Sequence, residues 1–120
     1  MTTKEVGQKL IELCTSGHFF EAIDTLYADD IVSVEAAESP LFAMEIRGID
    51  GVRDKNRRWS EMNDVHKIRA EGPWPHHDRF AVRWYFDVTP KGGQRAAFDE
   101  IAVYTVRDGK IVKEEFFYDM

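Results

Sequence analysis

The first part of the chain carries apolar side chains at helical spacing. Thr2 and Glu5 have the spacing of a capping box, and the apolar positions that follow predict a first helix over about residues 3–15. The stretch "FFEAIDTL" repeats the spacing of one apolar residue every three or four positions. It predicts a second, short helix that ends near Asp29 and Asp30.

A strand and a loop are expected next. Residues 31–36 are rich in β-branched side chains and predict a strand. The segment "AAESPLFAMEIRG" contains a proline and has no clean period, so we expect a loop or flap that reaches Gly48. Its apolar residues Leu41, Phe42 and Met44 are placed to close over a neighbouring surface.

A third helix is predicted after this loop, with Asp50 as its cap. One face of this helix is polar for a surface that should be buried, since a lysine and an asparagine lie among its apolar residues. That face is formed by Val52, Lys55, Asn56, Trp59 and Met62.

The second half of the chain changes to the period of β-strands. Four runs, "VHKIRAEG", "RFAVRWYFDV", "QRAAFDEIAVYTV" and "KIVKEEFFYD", are separated by the turn-forming stretches "PWPHHD", "PKGG" and "RDGK". Asp108 and Gly109 are typical of a tight hairpin. We therefore predict one α+β domain over residues 1–120, with three N-terminal helices packed on a bent, mostly antiparallel sheet.

Alternation along the strands predicts which side chains face the helices. Val82, Trp84, Phe86 and Val88 share one face of their strand, and the next strand carries apolar residues on both faces. That strand should be central, with its outer side covered by a partner subunit in a homodimer. On the inner side, a packed core and an apolar pocket both remain open, and either would be lined by Trp59, Trp84, Phe86, Tyr104, Phe116 and Tyr118.

Composition narrows the classes of partner. With 22 acidic and 16 basic side chains, the net charge is −6, which argues against a nucleic acid or an anionic membrane as partner. No apolar run approaches the roughly 20 residues that span a bilayer.

The single cysteine, Cys14, cannot form an intramolecular disulfide, and a cytoplasmic location is expected. No phosphate-binding loop is present, and His76 and His77 lack the spacing of a metal site, so neither cofactor nor metal is predicted.

The order of these elements resembles the cone-shaped, barrel-like α+β fold of the nuclear transport factor two-like superfamily. The stretches "LYADDIVSVE", "IRGIDGVRDKNRRW", "DRFAVRWYFDV" and "AVYTVRDGKIVKEEFFYD" are similar to those of SnoaL-like polyketide cyclases and ketosteroid isomerases. "ADD" before the first strand and "DGKIV" before the last are the characteristic marks. The resemblance covers nearly the whole chain and implies a small apolar molecule as ligand.

The resemblance also implies roles for individual residues. Counted from "ADD", Glu35 falls on the position of the carboxylate base of ketosteroid isomerases, which use a tyrosine and a protonated acid as the oxyanion hole. Leu10 and Ala102 stand at those last two positions, so neither expected donor is present here.

Other residues could supply the missing donor. Glu100 shares a face with Ala102, so a protonated Glu100 could donate a hydrogen bond to a carbonyl group, or it could pair with Lys55 as a structural ion pair. Tyr104 could donate its hydroxyl proton or serve as a core tyrosine. Glu114 shares a face with pocket candidates, although a solvated hairpin residue is the simpler interpretation.

Two functions remain open from the sequence. In the first, the chain is a cofactor-independent isomerase, cyclase or dehydratase that uses Glu35, Glu100 and Tyr104 on an apolar carbonyl substrate. In the second, it is a non-catalytic module that binds a small molecule or a second subunit.

Overall fold

The computed structural model describes residues 1–39 and 42–119. Its elements follow one another as α1 (Thr3–Thr15), α2 (Phe19–Leu26), β1 (Tyr27–Val34), β2 (Glu45–Arg47), α3 (Ile49–Met62), β3 (Asn63–His76), β4 (Arg79–Pro90), β5 (Ala96–Arg107) and β6 (Lys110–Phe117). Leu41, one of the apolar residues expected in the flap, lies outside the described residues.

The strands form one open six-stranded sheet in the order β2-β1-β6-β5-β4-β3. Every neighbouring pair is antiparallel except β1 and β6, which are parallel. The predicted α+β architecture, three helices on a mostly antiparallel sheet, is confirmed. As predicted, β5 lies inside the sheet, between β6 and β4.

The helices pack on one face of the sheet through their apolar stripes. Val6 and Leu10 of α1 and Leu26 of α2 are almost completely buried against Phe80 and Val82 of β4 and their neighbours in the core. Removal of these side chains from water supplies the main driving force for the fold. The packing is not complete, and a space remains between the three helices and the sheet.

Several boundaries differ from the predictions. α2 ends at Leu26, and β1 starts directly at Tyr27, because Tyr27 already pairs with Ile111 of β6. β1 ends at Val34, before the predicted end of the strand. "PWPH" belongs to β3 and is not a turn. β3 is an edge strand, where prolines are tolerated because their missing N–H groups need no ladder partner.

The ends of α1 and α3 are built differently. The capping box of Thr2 and Glu5 is present at α1, as predicted. The prediction of Asp50 as the cap of α3 is wrong: Gly48 occupies the N-cap at φ 90°, and the carboxylate of Asp50 accepts a hydrogen bond from Arg53. A glycine suits this position because a positive φ is costly for other residues.

The hairpin at Asp108 and Gly109 is confirmed. Both residues have positive φ, 53° and 74°, as a type I′ turn requires, and Arg107 pairs with Lys110 across it. Among the described residues, no helix has the length and hydrophobicity needed to cross a membrane.

Candidate active site

A cavity of about 390 Å³ lies between the helices and the inner face of the sheet. Its volume falls within the usual range of small-molecule sites. The residues predicted for the site line it, with one exception. The polar ones are Glu35, Lys55, Glu100, Tyr104, Glu114 and Tyr118, and the apolar ones are Leu10, Trp59, Trp84, Phe86 and Phe116.

Ala102 is the exception. It is completely buried but is not part of the cavity wall. Its cross-strand neighbours are Val82 and Phe116, whose larger side chains extend beyond its methyl group. Ala102 therefore belongs to the packed core beneath the cavity.

Glu35 lies directly after β1, and its carboxylate is held on both oxygens. Its backbone N–H donates to the carbonyl oxygen of Met44, which fixes the start of the flap against β2. Lys55 Nζ lies 2.5 Å from Oε1, and the hydroxyl of Tyr118 donates to Oε2 at 2.9 Å. Glu35 is therefore a well-positioned carboxylate that reaches the cavity, not a solvated strand end.

Lys55 explains the polar face of α3. It is only 8% exposed, and its ammonium also donates to Ser33 Oγ at 2.8 Å and lies 5.0 Å from the ring centre of Phe116. A buried ammonium requires such partners because the loss of hydration would otherwise destabilise the protein. The lysine stands on the apolar stripe because its partners are on the sheet.

Glu114 is 2% exposed, so its interpretation as a solvated hairpin residue is wrong. β6 is an interior strand and turns this side chain toward the helices. The hydroxyl of Tyr27 donates to Oε1 at 2.5 Å, and Ser33 Oγ donates to Oε2 at 2.7 Å. Burial raises the pKa of Glu114, while Lys55 and these two donors oppose the rise.

Together these contacts form one continuous sequence of partners, which we call the buried hydrogen-bond chain. It links β1, α3 and β6, and all of its members except Ser33 line the cavity. Its members in order are Tyr27, Glu114, Ser33, Lys55, Glu35 and Tyr118.

Glu100 lines the same cavity but stands outside the buried hydrogen-bond chain. The alternative of an ion pair with Lys55 is wrong, because Lys55 is bound to Glu35 and Ser33 instead. Burial raises the pKa of Glu100 to about 8, with a further contribution from Glu35 and an opposing one from Lys55. Glu100 is therefore mostly protonated at neutral pH and carries an O–H group that can donate.

Tyr104 lies deeper, at the base of the cavity. Its ring stacks on Phe80 at 4.8 Å, and its hydroxyl oxygen accepts a hydrogen bond from Trp84 Nε1 at 2.9 Å. Burial and the nearby Glu114 raise its pKa well above the usual value. Tyr104 keeps its proton and fixes the orientation of Trp84, whose ring forms part of the wall.

With this geometry established, the chain can be compared with known proteins. A family model described as the SnoaL-like domain matches residues 1–118. The chain belongs to the SnoaL-like family. A crystal structure from Mesorhizobium loti, of a protein provisionally assigned as a SnoaL-like polyketide cyclase, is 41% identical with a TM-score of 0.91. The match covers 98% of this chain and 100% of that one.

More distant structures share the fold of this SnoaL-like chain. A nuclear transport factor two-like protein from Burkholderia thailandensis is 21% identical, covers 99% and 92% of the two chains, and has a TM-score of 0.85. A provisionally assigned isomerase from Bacillus subtilis is 15% identical, covers 96% and 84%, and has a TM-score of 0.78. No curated protein sequence matches significantly. The resemblance inferred from the sequence, including the cone-shaped fold, is confirmed.

Sequence reasoning missed Ser33 and Tyr27 as parts of this SnoaL-like site. Ser33 is completely buried, and Tyr27 is nearly so. A signal for Ser33 was available, because it alternates with the core residue Ile31 and with Glu35 and so had to face inward. Tyr27 had no such signal, since it was expected in a helix and not at the start of β1.

Cys14 also lines the cavity, and burial raises the pKa of its thiol to about 12, so it stays protonated. His76 and His77 contact each other edge to face, with ring centres 4.3 Å apart, at the hairpin between β3 and β4. In residues 1–39 and 42–119, no three His, Cys, Asp or Glu side chains are grouped to hold a metal ion.

Proposed function

We propose that this SnoaL-like protein is a cofactor-independent acid–base catalyst that isomerises, cyclises or dehydrates an apolar carbonyl compound. The observation that carries the proposal is the contrast between two glutamates in one cavity. Glu35 is a carboxylate paired with Lys55, whereas Glu100 is mostly protonated at neutral pH. A base and a hydrogen-bond donor in one largely apolar cavity are the two groups that enolisation needs.

The proposed reaction starts with removal of a proton next to the substrate carbonyl. Glu35 accepts that proton, and the electron pair of the broken C–H bond moves toward the carbonyl oxygen. Glu100 donates a hydrogen bond to this oxygen as negative charge develops on it. Return of the proton from Glu35 to another carbon isomerises the substrate, and attack by the enolate carbon on a second carbonyl closes a ring.

The apolar wall supports a hydrophobic substrate skeleton. Trp59 and Phe86 contact edge to face with ring centres 5.7 Å apart, and Phe98 stacks on Phe86 at 5.1 Å. These rings present a continuous apolar surface beside the two glutamates. Apolar contact would hold the substrate while the carboxyl groups act on its one polar group.

The experiment measures proton abstraction directly, with 2-tetralone as probe. NMR in D2O follows the exchange of the protons next to its carbonyl. The wild-type protein should accelerate this exchange, and Glu35→Gln should lower the acceleration roughly 100-fold or more, because the amide keeps the shape but not the basicity. Glu61→Gln is the matched control, since Glu61 is an exposed residue of α3 that pairs with Arg57.

A double variant distinguishes loss of the catalytic base from loss of folding. Glu35→Gln leaves the ammonium of Lys55 without its carboxylate partner, whereas Glu35→Gln with Lys55→Met removes both charges from the site. Both variants should lose exchange activity. Exchange equal to wild type in either folded variant would refute the proposed role of Glu35.

The absence of the expected donors at Leu10 and Ala102 favours a second candidate function, a non-catalytic binding module. In that case 2-tetralone binds without accelerated exchange. Glu35→Gln should then leave affinity nearly unchanged, while Trp84→Ala should weaken binding by about 2 kcal/mol through lost apolar contact. Calorimetric titration measures these affinities, and proton exchange by the wild-type protein separates the two functions, because only the catalyst accelerates it.

The oligomeric state and the cellular location of the protein are also proposed. We propose a homodimer formed through the outer face of β5 and β6, where Ile101 and Phe117 are 38% and 52% exposed. These two residues are cross-strand neighbours and so form one apolar patch. A cytoplasmic location is proposed from the single cysteine.

A further inference from the structure

Glu100 differs from the other two acidic residues of the cavity because its carboxyl group has no hydrogen-bond partner within the described part of the chain. Both oxygens of Glu35 are engaged, by Lys55 and Tyr118, and both oxygens of Glu114 are engaged, by Tyr27 and Ser33. The Glu100 carboxyl is thus free to bind a ligand.

The charges around Glu100 favour a positive ligand. The ionisable groups that face it are Glu35 after β1, Lys55 on α3, Glu114 and Tyr118 on β6, and Tyr104 on β5. Lys55 is the only basic residue among the described cavity-lining residues, and it already serves Glu35 and Ser33. Three carboxyl groups therefore share one ammonium.

The rings around Glu100 are also suited to a cation. Trp84 is its cross-strand neighbour on β4, and Phe98 precedes it by two residues on the same face of β5. Both side chains line the cavity. An ammonium placed at the carboxyl group would lie beside aromatic faces, which attract cations.

We infer that the cavity also accepts apolar primary amines, whose ammonium group pairs with the Glu100 carboxylate, and that it rejects apolar anions of the same shape. This inference rests on the proposed ligand site but not on its catalysis. Ketones and amines would therefore compete for one cavity while requiring opposite protonation states of one side chain.

Amine binding and ketone binding should differ in the number of protons released to solvent. Around neutral pH the free amine is an ammonium ion and Glu100 is mostly protonated, so pairing them releases one proton from Glu100 to solvent. A ketone needs the proton of Glu100 and releases none. Because the pKa of Glu100 is about 8, its ionised fraction rises from roughly 3% at pH 6.5 to roughly 75% at pH 8.5.

The experiment uses isothermal titration calorimetry with three ligands on one skeleton: 2-aminotetralin, 2-tetralone and tetralin-2-carboxylate. From pH 6.5 to 8.5 the affinity for the amine should rise roughly 20-fold, and that for the ketone should fall roughly fourfold. The carboxylate should bind at least roughly tenfold more weakly than the ketone at both pH values. Titration in buffers of different ionisation enthalpy should show release of about one proton with the amine at pH 6.5.

Glu100→Gln tests the residue, and Glu61→Gln serves again as the control. The glutamine is uncharged at every pH and keeps a donor, so it should lower amine affinity at pH 8.5 at least roughly tenfold while ketone affinity changes little. Amine affinity that is independent of pH or of Glu100→Gln would overturn the inference. Ketone binding without amine binding would also overturn it and leave the proposed catalysis intact. Amine binding as described, without proton exchange on 2-tetralone, would support the inference and refute the catalysis.

Discussion

At the scale of single residues, the three cavity glutamates show how environment divides one side-chain type into different roles. Glu114 accepts hydrogen bonds from two hydroxyl groups in the interior, and Glu35 is held by an ammonium and a phenol. The side-chain carboxyl of Glu100 has no hydrogen-bond partner among the described residues. Burial favours the neutral form of a carboxyl group unless partners stabilise its charge. Glu100 lacks such partners, and burial raises the pKa of its carboxyl group to about 8.

The raised pKa of Glu100 predicts a pH-dependent stability. Between the ordinary value of 4.5 and the folded value of about 8, the folded state binds a proton that the unfolded state has lost. The stabilisation from this proton is complete below pH 4.5 and is lost as pH rises toward 8, at up to about 1.4 kcal/mol per pH unit. Glu100→Gln should remove this slope.

Urea unfolding of both proteins between pH 5.5 and 9.5 measures the effect. The wild type should lose stability relative to Glu100→Gln as pH rises, and the difference should level off above pH 8.5. Groups that do not interact with Glu100 contribute equally to both proteins, so the difference reports on Glu100 and the charged groups around it. Parallel stability curves would show that Glu100 is ionised in the folded protein at neutral pH.

At the scale of secondary-structure elements, α3 is attached to the sheet partly through charge. Val52 is completely buried, but the next inward residue, Lys55, reaches Ser33 on β1 and Glu35 just beyond it. Ser33 is pivotal, since it accepts from Lys55 and donates to Glu114 of β6. One small hydroxyl therefore connects three elements.

Ser33→Ala should destabilise the fold by about 1–3 kcal/mol, because it removes a donor from buried Glu114 and an acceptor from buried Lys55. Ser60→Ala is the control. The hydroxyl of Ser60 on α3 donates only to a carbonyl oxygen of its own helix, at Arg57, so its loss should change stability by less than about 0.5 kcal/mol. Equal urea midpoints for the two variants would argue against a structural role for the buried hydrogen-bond chain.

Elements with strong local signals could be predicted from the sequence, and contacts between distant elements could not. Thr2 and Glu5 identified the start of α1, and Asp108 with Gly109 identified the last hairpin, because each signal acts within a few residues. Alternation placed Glu100 on the inner face. The partner of Lys55 depended on the depth of α3 over the sheet, so Glu35 could not be chosen over Glu100 in advance.

At the scale of the whole molecule, the site depends on the one parallel pairing in the sheet. β1 and β6 run side by side in register from Val32 with Lys113 to Val34 with Glu115. Glu35 and Tyr118 follow these two strands and therefore leave the sheet at the same end. The Tyr118 hydroxyl donates to Glu35 Oε2 at 2.9 Å. The resulting cavity faces the helices, which leaves the opposite face of the sheet available for assembly.

The two halves of that opposite face differ in character. Arg83 of β4 pairs with Asp99 of β5, whereas Ile101 of β5 and Phe117 of β6 are exposed side by side. Neighbouring exposed apolar side chains on a sheet are typical of a protein interface. A second copy of the chain is the partner that we expect, because strands of one sheet can pack on the same strands of another with twofold symmetry.

Phe117→Lys tests this homodimer, since a lysine at a closed apolar interface would leave a desolvated charge. Sedimentation equilibrium at about 10 μM should give twice the chain mass of 13.9 kDa for the wild type and a shift toward 13.9 kDa for the variant. Phe20→Lys is the matched control, because Phe20 is 40% exposed on α2, in the helical layer away from the proposed interface. A monomeric wild type, or equal dissociation of both variants, would refute dimerisation through the β5 and β6 face.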